Sequence, residues 1–131
     1  MKPLVDIQLP WPPTHLSPNA RLHWAIVYRA KAAYRDKCWA LARGQGVPQL
    51  EVDAKYKLVL RFVPPDRRQY DRDNLVARMK AGLDGLADAL FIDDQQFAEL
   101  TASVSADSLG GFVEVRIYPH SQGEANGPEA L

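Results

Sequence analysis

Lys55-Tyr56-Lys57-Leu58-Val59-Leu60-Arg61-Phe62-Val63, closed by Pro64-Pro65-Asp66, is the stretch from which the fold can be read. Tyr56, Leu58, Leu60 and Phe62 fall on one side of an extended chain, and Lys55, Lys57 and Arg61 on the other. That is the period of a strand with one buried face. The two prolines remove ladder donors and end it. Arg67 to Arg72 is a polar, basic connector. From about Asn74 to Leu90 the period changes. Leu75, Met79, Leu83, Leu86 and Leu90 recur every three or four residues, the apolar stripe of a helix.

The elements on either side follow by the same reasoning. Leu4 to Leu9 alternates, with Val5, Ile7 and Leu9 on one face, and stops at Pro10-Trp11-Pro12-Pro13. Thr14 to Ala20 reads as a loop with turn chemistry at Ser17-Pro18-Asn19. A helix is expected from about Arg21 to Arg43, with Trp24, Ile26, Tyr28, Tyr34, Cys38 and Leu41 near a 3.6-residue repeat; Gly44, Gly46 and Pro48 stop it. Gln96 to Ser105 and Gly111 to Tyr118 read as two strands joined by a turn at Asp107-Ser108-Leu109-Gly110-Gly111. Residues 1–119 then form one α+β domain in the order β-α-β-α-β-β, a mixed sheet with two main helices packed on it. Residues 120–131 read as a disordered C-terminal tail.

The chain has 131 residues, 47% apolar and 24% charged, enough for one core without staples. A single cysteine, Cys38, excludes an intramolecular disulfide and a cysteine zinc cage. No apolar run approaches the length of a membrane span, and the N-terminus lacks a signal-peptide core. A cytoplasmic, soluble domain is expected, with no membrane partner. The net charge of zero conceals an asymmetry. Residues 1–80 hold fifteen basic and seven acidic residues, a charge of +8; residues 81–131 hold one basic and nine acidic, a charge of −8. Such a split points to a basic surface for a polyanion and a separate acidic feature, unless the halves interleave in space and cancel.

The chemistry-bearing cluster is Tyr70-Asp71-Arg72-Asp73-Asn74. In extended chain, Asp71 and Asp73 point to one side, and two carboxylates at one point need a cation between them. Hard oxygens suit Mg²⁺, with Mn²⁺ a possible substitute, and Asn74 can complete the shell or hold a carboxylate. The plain structural alternative makes Asp73 a helix N-cap and Asp71 a surface charge. A second pair, Asp93-Asp94, stands at the helix C-terminus, where negative charge is unfavourable and a metal would compensate it. His15 and His23 have no acid or nucleophile at readable spacing. Trp11 and Trp24 read as core.

Taken together, Leu9-Pro10-Trp11-Pro12-Pro13, Pro64-Pro65-Asp66-Arg67-Arg68, Asp71-Arg72-Asp73-Asn74-Leu75, Leu83-Asp84-Gly85-Leu86 and Asp93-Asp94 resemble the RusA family of Holliday-junction resolvases. The resemblance spans roughly residues 4–118 and lies in the order and spacing of motifs. It implies a Mg²⁺-dependent endonuclease, a homodimer that binds four-way junction DNA and nicks two strands symmetrically, in a bacterial cell or phage-infected host. The family's catalytic, metal-binding aspartates map onto Asp71, Asp73 and Asp94. Its lysine falls at Ala77 when counted from the first motif, and at Lys80 when counted back from Asp84. Tyr70 stands where the prototype carries arginine. Lys80 would then meet the scissile phosphate, and Arg67, Arg68 and Arg72 the DNA backbone. Arg21, Arg29, Lys31 and Arg35 extend that surface. Two other classes fit the residues: a non-catalytic branched-DNA-binding protein, and a metal-dependent nuclease or phosphatase acting on flaps or nucleotides. One geometric problem is visible already. A straight helix of about 17 residues is ~25 Å long, too far for Asp73 and Asp94 to share an ion. Either the helix breaks near Gly82 or Gly85, or the site forms across a dimer.

Overall fold

The computed structural model describes residues 1–120. The elements are β1 (Val5–Pro10), α1 (Trp24–Gly44), β2 (Tyr56–Val63), α2 (Arg72–Ala89), β3 (Phe97–Val104) and β4 (Phe112–Pro119), with single 3₁₀ turns at Thr14–Leu16 and Asp94–Gln96. The domain is α+β, as the periodicities require. The tail assigned to 120–131 lies, from residue 121 on, outside the described residues.

The four strands stand in the order β1-β4-β2-β3, antiparallel except for the β2–β3 pair. The two strands expected from Gln96 onward are present, yet they do not pair. The 105–111 connection carries the chain across β2, and β4 inserts between β2 and β1. Alternation cannot show which strands are neighbours; the helix between β2 and β3 makes those two parallel, as a right-handed crossover does.

Both helices cover one face, α1 over β1 and α2 over β3. Val5, Ile7 and Leu9, Tyr56, Leu58, Leu60 and Phe62, and Val113, Val115 and Ile117 point into that layer and are buried. The opposite face is polar and internally paired: Asp6 with Arg116, Arg61 with Glu114, and Lys57 with Glu99. Two of these pairs join a cation of the basic stretch to an acid of the acidic stretch, so the charge asymmetry is partly cancelled here.

α1 departs from its expected stripe. Trp24 is 73% and Tyr28 68% exposed, and Ile26 and Leu41 are exposed as well; the buried side is Tyr34, Cys38 and Ala42. Trp24 is therefore not core, whereas Trp11 packs edge-on against Phe62 and Tyr70. None of residues 24–31 is buried, so periodicity there has no core to serve. His23 starts α1 by accepting the Ala25 amide on Nδ1 at 3.1 Å. At its end the Gln45 side chain accepts the Gln8 amide and donates to the Gln8 carbonyl, occupying the outer edge of β1.

α2 is one unbroken helix through Gly82 and Gly85. The glycines serve packing instead of bending. A β-carbon at Gly82 would meet Tyr34 and Cys38, and one at Gly85 the carbonyl oxygen of Arg35. The expected break is therefore absent, because bare backbone is what lets α1 approach α2 this closely.

Candidate functional site

The first turn of α2 carries the acidic motif. Asp71, not Asp73, is the N-cap: it has extended backbone and its carboxylate accepts the Asp73 amide at 2.9 Å. Asp73 lies in the helix, so the two are not the extended pair read from spacing. They remain neighbours at the positive end of α2, where anions are favoured. One Asp71 oxygen is committed to the cap. The Asp73 side chain is 86% exposed, with Arg72 Nε at 3.6 Å. Asn74 holds no carboxylate; its amide donates to Ser17 Oγ at 3.0 Å and ties the 14–20 loop to this turn.

The connector ahead of the motif is rigid. The Asp66 carboxylate accepts from the Arg68 amide and from the Tyr70 hydroxyl at 3.0 and 2.9 Å. The Arg68 amide bond, then the Tyr70 hydroxyl, hold this carboxyl below its usual range. Tyr70 is thus a lock on the connector. A cleft of about 370 Å³ opens between residues 64–70 and 104–109, with Arg67 and Arg68 on its wall.

Asp73, Ala77, Lys80 and Asp88, with the half-buried Asp84, form the outer stripe of α2, spaced three or four residues apart. Lys80 is solvent-facing in the middle of the stripe, beside Lys31 and Asp84. Among the described residues neither Lys80 nor Arg67 makes an ion pair. The stripe ends in an acidic hollow lined by Asp84, Asp88, Asp93 and Asp94, with Arg35 bonded to Asp88. Asp93 caps the 94–96 turn by accepting the Gln95 amide, while the Asp93 amide donates to Gln96 Oε1. The Gln95 amide bond lowers Asp93. The hydrogen bond to Asp93, then burial and the Asp84 charge, raise Asp94.

The structure brings Asp71, Arg72 and Asp73 together at the start of α2, and sets Arg67 and Arg68 on the wall of the cleft formed by the preceding connector. It does not bring Asp94 to them within one chain, since the 18 residues of α2 stand between. Asp94 folds back beside Asp84, eleven residues along the helix from Asp73, which leaves a separation on the order of 16 Å. Among the described residues no group of three or more metal-ligating side chains is assembled. One chain offers two hard carboxylates for an ion at one end of α2 and the third at the other.

Reading the sequence missed Arg78. It is 6% exposed within the apolar stripe, donates to the carbonyls of Pro12 and Pro13 at 2.6 and 3.3 Å, and stacks over Trp11. Burial lowers its pKa. Tyr34 donates to the Pro10 carbonyl at 2.7 Å. These two side chains and Asn74 fasten the 10–17 segment beside the first turn of α2. An arginine one position before Met79 on a leucine stripe was the available signal.

No protein-family model matches this chain. An uncharacterized protein of Xylella fastidiosa (strain Temecula1 / ATCC 700964) is 36% identical over 133 residues, an alignment covering all of this chain and 87% of that protein. The chain belongs to the family of that protein. Among the described residues no helix is long and apolar enough to cross a membrane.

Proposed function

We propose that this chain is a Mg²⁺-dependent, structure-specific endodeoxyribonuclease that acts as a homodimer on four-way junction DNA and nicks two strands symmetrically. The observation that carries the reading is the start of α2. Asp71 and Asp73 lie side by side at a helix N-terminus, directly after a connector that exposes Arg67 and Arg68. The motif resemblance supplies the substrate class.

The donor set suits Mg²⁺ or Mn²⁺. Asp71 keeps a carboxylate oxygen beyond its capping bond, Asp73 is open, and Asp94 lies among the acids of the hollow at the far part of α2. When bound, the ion supplies Lewis acidity to the phosphodiester and lowers the pKa of water. The protein does the rest. Asp71 and Asp73 hold the ion, with Asp94 of a second copy as third ligand. Lys80 faces the charge that develops on the phosphate. Arg67, Arg68 and Arg72 grip backbone phosphates and orient the strand without reading bases. The exposed Asp73 charge repels DNA unless an ion is present, so binding and metal loading support one another.

The test is incubation with a synthetic four-way junction, a flap and a plain duplex, with and without Mg²⁺ or Mn²⁺. Paired nicks in the junction, only with metal, are the result expected. Binding without cleavage would favour a branched-DNA-binding protein, and cleavage of flap alone or nucleotides a different nuclease class.

A further inference from the structure

The first half of α1 holds its aromatic residues in water. Trp24 and Tyr28 stand four residues apart and are largely exposed. Lys31 and Arg35 continue the same line at intervals of three and four, so one side of the helix reads aromatic, aromatic, cation, cation. Arg21, three residues ahead of Trp24, is exposed in the segment that leads into the helix. Arg35 is bonded to Asp88. Among the described residues Arg21, Lys31 and Lys80 make no ion pair.

The line is ordered, and its chemistry is mixed. His23 Nδ1 accepts the Ala25 amide, and the Trp24 ring lies 5.6 Å from the imidazole at a tilt of 31°. Ile26, the exposed aliphatic residue of these turns, stands two residues from each ring and hence on the opposite side of the helix. Rings and cations therefore share one side without an exposed aliphatic residue among them. A helix bedded in a membrane surface or in a partner's groove needs an aliphatic stripe there. Rings beside cations suit a polyanion that itself carries flat apolar groups, which describes a nucleic-acid strand with its bases unpaired.

The line also stands at the right end of the molecule. α1 and α2 run side by side in the same direction: Tyr34 and Cys38 lie against Gly82, the Arg35 carbonyl against Gly85, and Arg43 reaches the Ala89 carbonyl. Lys31 shares a hollow with Leu16, Pro18, Ala77 and Lys80. Trp24 is seven residues ahead of Lys31, and Asp73 is seven ahead of Lys80. Both therefore lie about 10 Å before that hollow, toward the start of α2. Between them runs the 14–20 loop, whose Ser17 is bonded to Asn74 in the first turn of α2.

We infer that Trp24 and Tyr28 form a stacking platform for unpaired bases of a DNA strand whose phosphates lie on Arg21, Lys31 and Lys80. The inference rests on the DNA reading above and adds a contact to bases that it lacks. A plain duplex hides the faces of its bases and gains only the phosphate contacts. A strand opened at a branch point gains both, so the platform favours branched over plain DNA.

The test is a metal-free titration of the full chain with a labelled oligothymidylate of about twelve nucleotides, followed by anisotropy. The same sugar–phosphate strand with abasic sites, and a blunt duplex, are the comparisons. The thymidylate strand should bind more tightly than the abasic one. Trp24→Ala and Tyr28→Ala should each weaken thymidylate binding about tenfold or more, and Trp24→Phe should recover part of the loss. Binding of the abasic strand and the duplex, and the circular dichroism, should not change. Equal affinity for thymidylate and abasic strands, or wild-type affinity in the Trp24→Ala, Tyr28→Ala double variant, overturns the platform. So does a double variant that keeps strand binding but loses self-association in sedimentation, or loses binding to phosphatidylglycerol vesicles; the line then serves a second copy or a membrane. Cleavage is read apart from this. Trp24-dependent strand binding by a protein that nicks no junction keeps the platform and removes the nuclease. Junction nicking with strand binding indifferent to Trp24 and Tyr28 keeps the nuclease and removes the platform.

Discussion

The carbonyl oxygen of Arg35 on α1 occupies the place where a β-carbon of Gly85 would stand on α2. This contact sets the spacing of the two helices, and with it the position of the acidic hollow that Arg35 and Asp88 help to line.

Gly85→Ala therefore destabilises the fold by about 1–3 kcal/mol, because backbone cannot move aside as a flexible side chain does. Helix propensity alone would give the opposite sign, by about 1 kcal/mol. Gly44→Ala, with nothing within 4 Å of the new carbon, is the control and should be near neutral. Urea unfolding of both variants decides between packing and propensity.

Asp71 caps α2 whether or not it holds metal, so the two roles need separate substitutions. Asp71→Asn keeps the cap and should unfold like the wild type, while Asp71→Ala loses about 1 kcal/mol. Both should lose Mg²⁺-dependent nicking and keep or strengthen junction binding, since a charge that DNA repels is gone. Normal nicking by Asp71→Asn would remove this residue from the metal site.

Junction binding should weaken steeply with salt. Arg67→Ala and Arg68→Ala should each weaken it on every sequence tested and reduce the log–log salt slope by about one. Arg61→Ala should leave the slope unchanged, because Arg61 is already paired with Glu114. Gel-shift titrations from low to moderate salt give these slopes. A flat wild-type response would place the DNA surface elsewhere.

Arg78→Met leaves the Pro12 and Pro13 carbonyls without their guanidinium and should cost about 2–3 kcal/mol, visible as a lower Tm. Arg78→Lys should recover only part of it, since one ammonium cannot reproduce a planar fork stacked on Trp11.

Burial pushes the Cys38 thiol up to about 11. The folded protein at pH 8 should not react with a thiol reagent, and the unfolded chain should react once. The unfolded thiol ionises near its ordinary value and the folded one only near 11. Its contribution to stability is thus complete below the ordinary value and is lost between the two. Labelling rates with and without denaturant measure the difference.

The grouping at the start of α2 was legible because it is local. Asp71, Asp73 and the arginines are adjacent in sequence, and the strand-to-helix change of period puts them at one helix start. Which aspartate caps was not legible. That depends on where the first helical φ/ψ falls, and a one-residue shift exchanges the roles. Asp84 and Asp93 were visible as acids, but their grouping with Asp94 and Asp88 needs the turn that folds residues 93–96 back on α2. Trp24 and Tyr28 misled, because a helical period shows amphipathicity and not what lies against it.

By itself the sequence determined the element types, the inward faces of β1 and β2 and the basic-then-acidic order, since side-chain period and charge are properties of neighbouring residues. Tertiary structure alone decided that β4 inserts between β1 and β2, that α2 runs straight through two glycines, and that Arg78 is buried. Each of these depends on contacts between segments far apart in the chain. They fix the distance between Asp73 and Asp94, and leave one edge of the sheet unpaired.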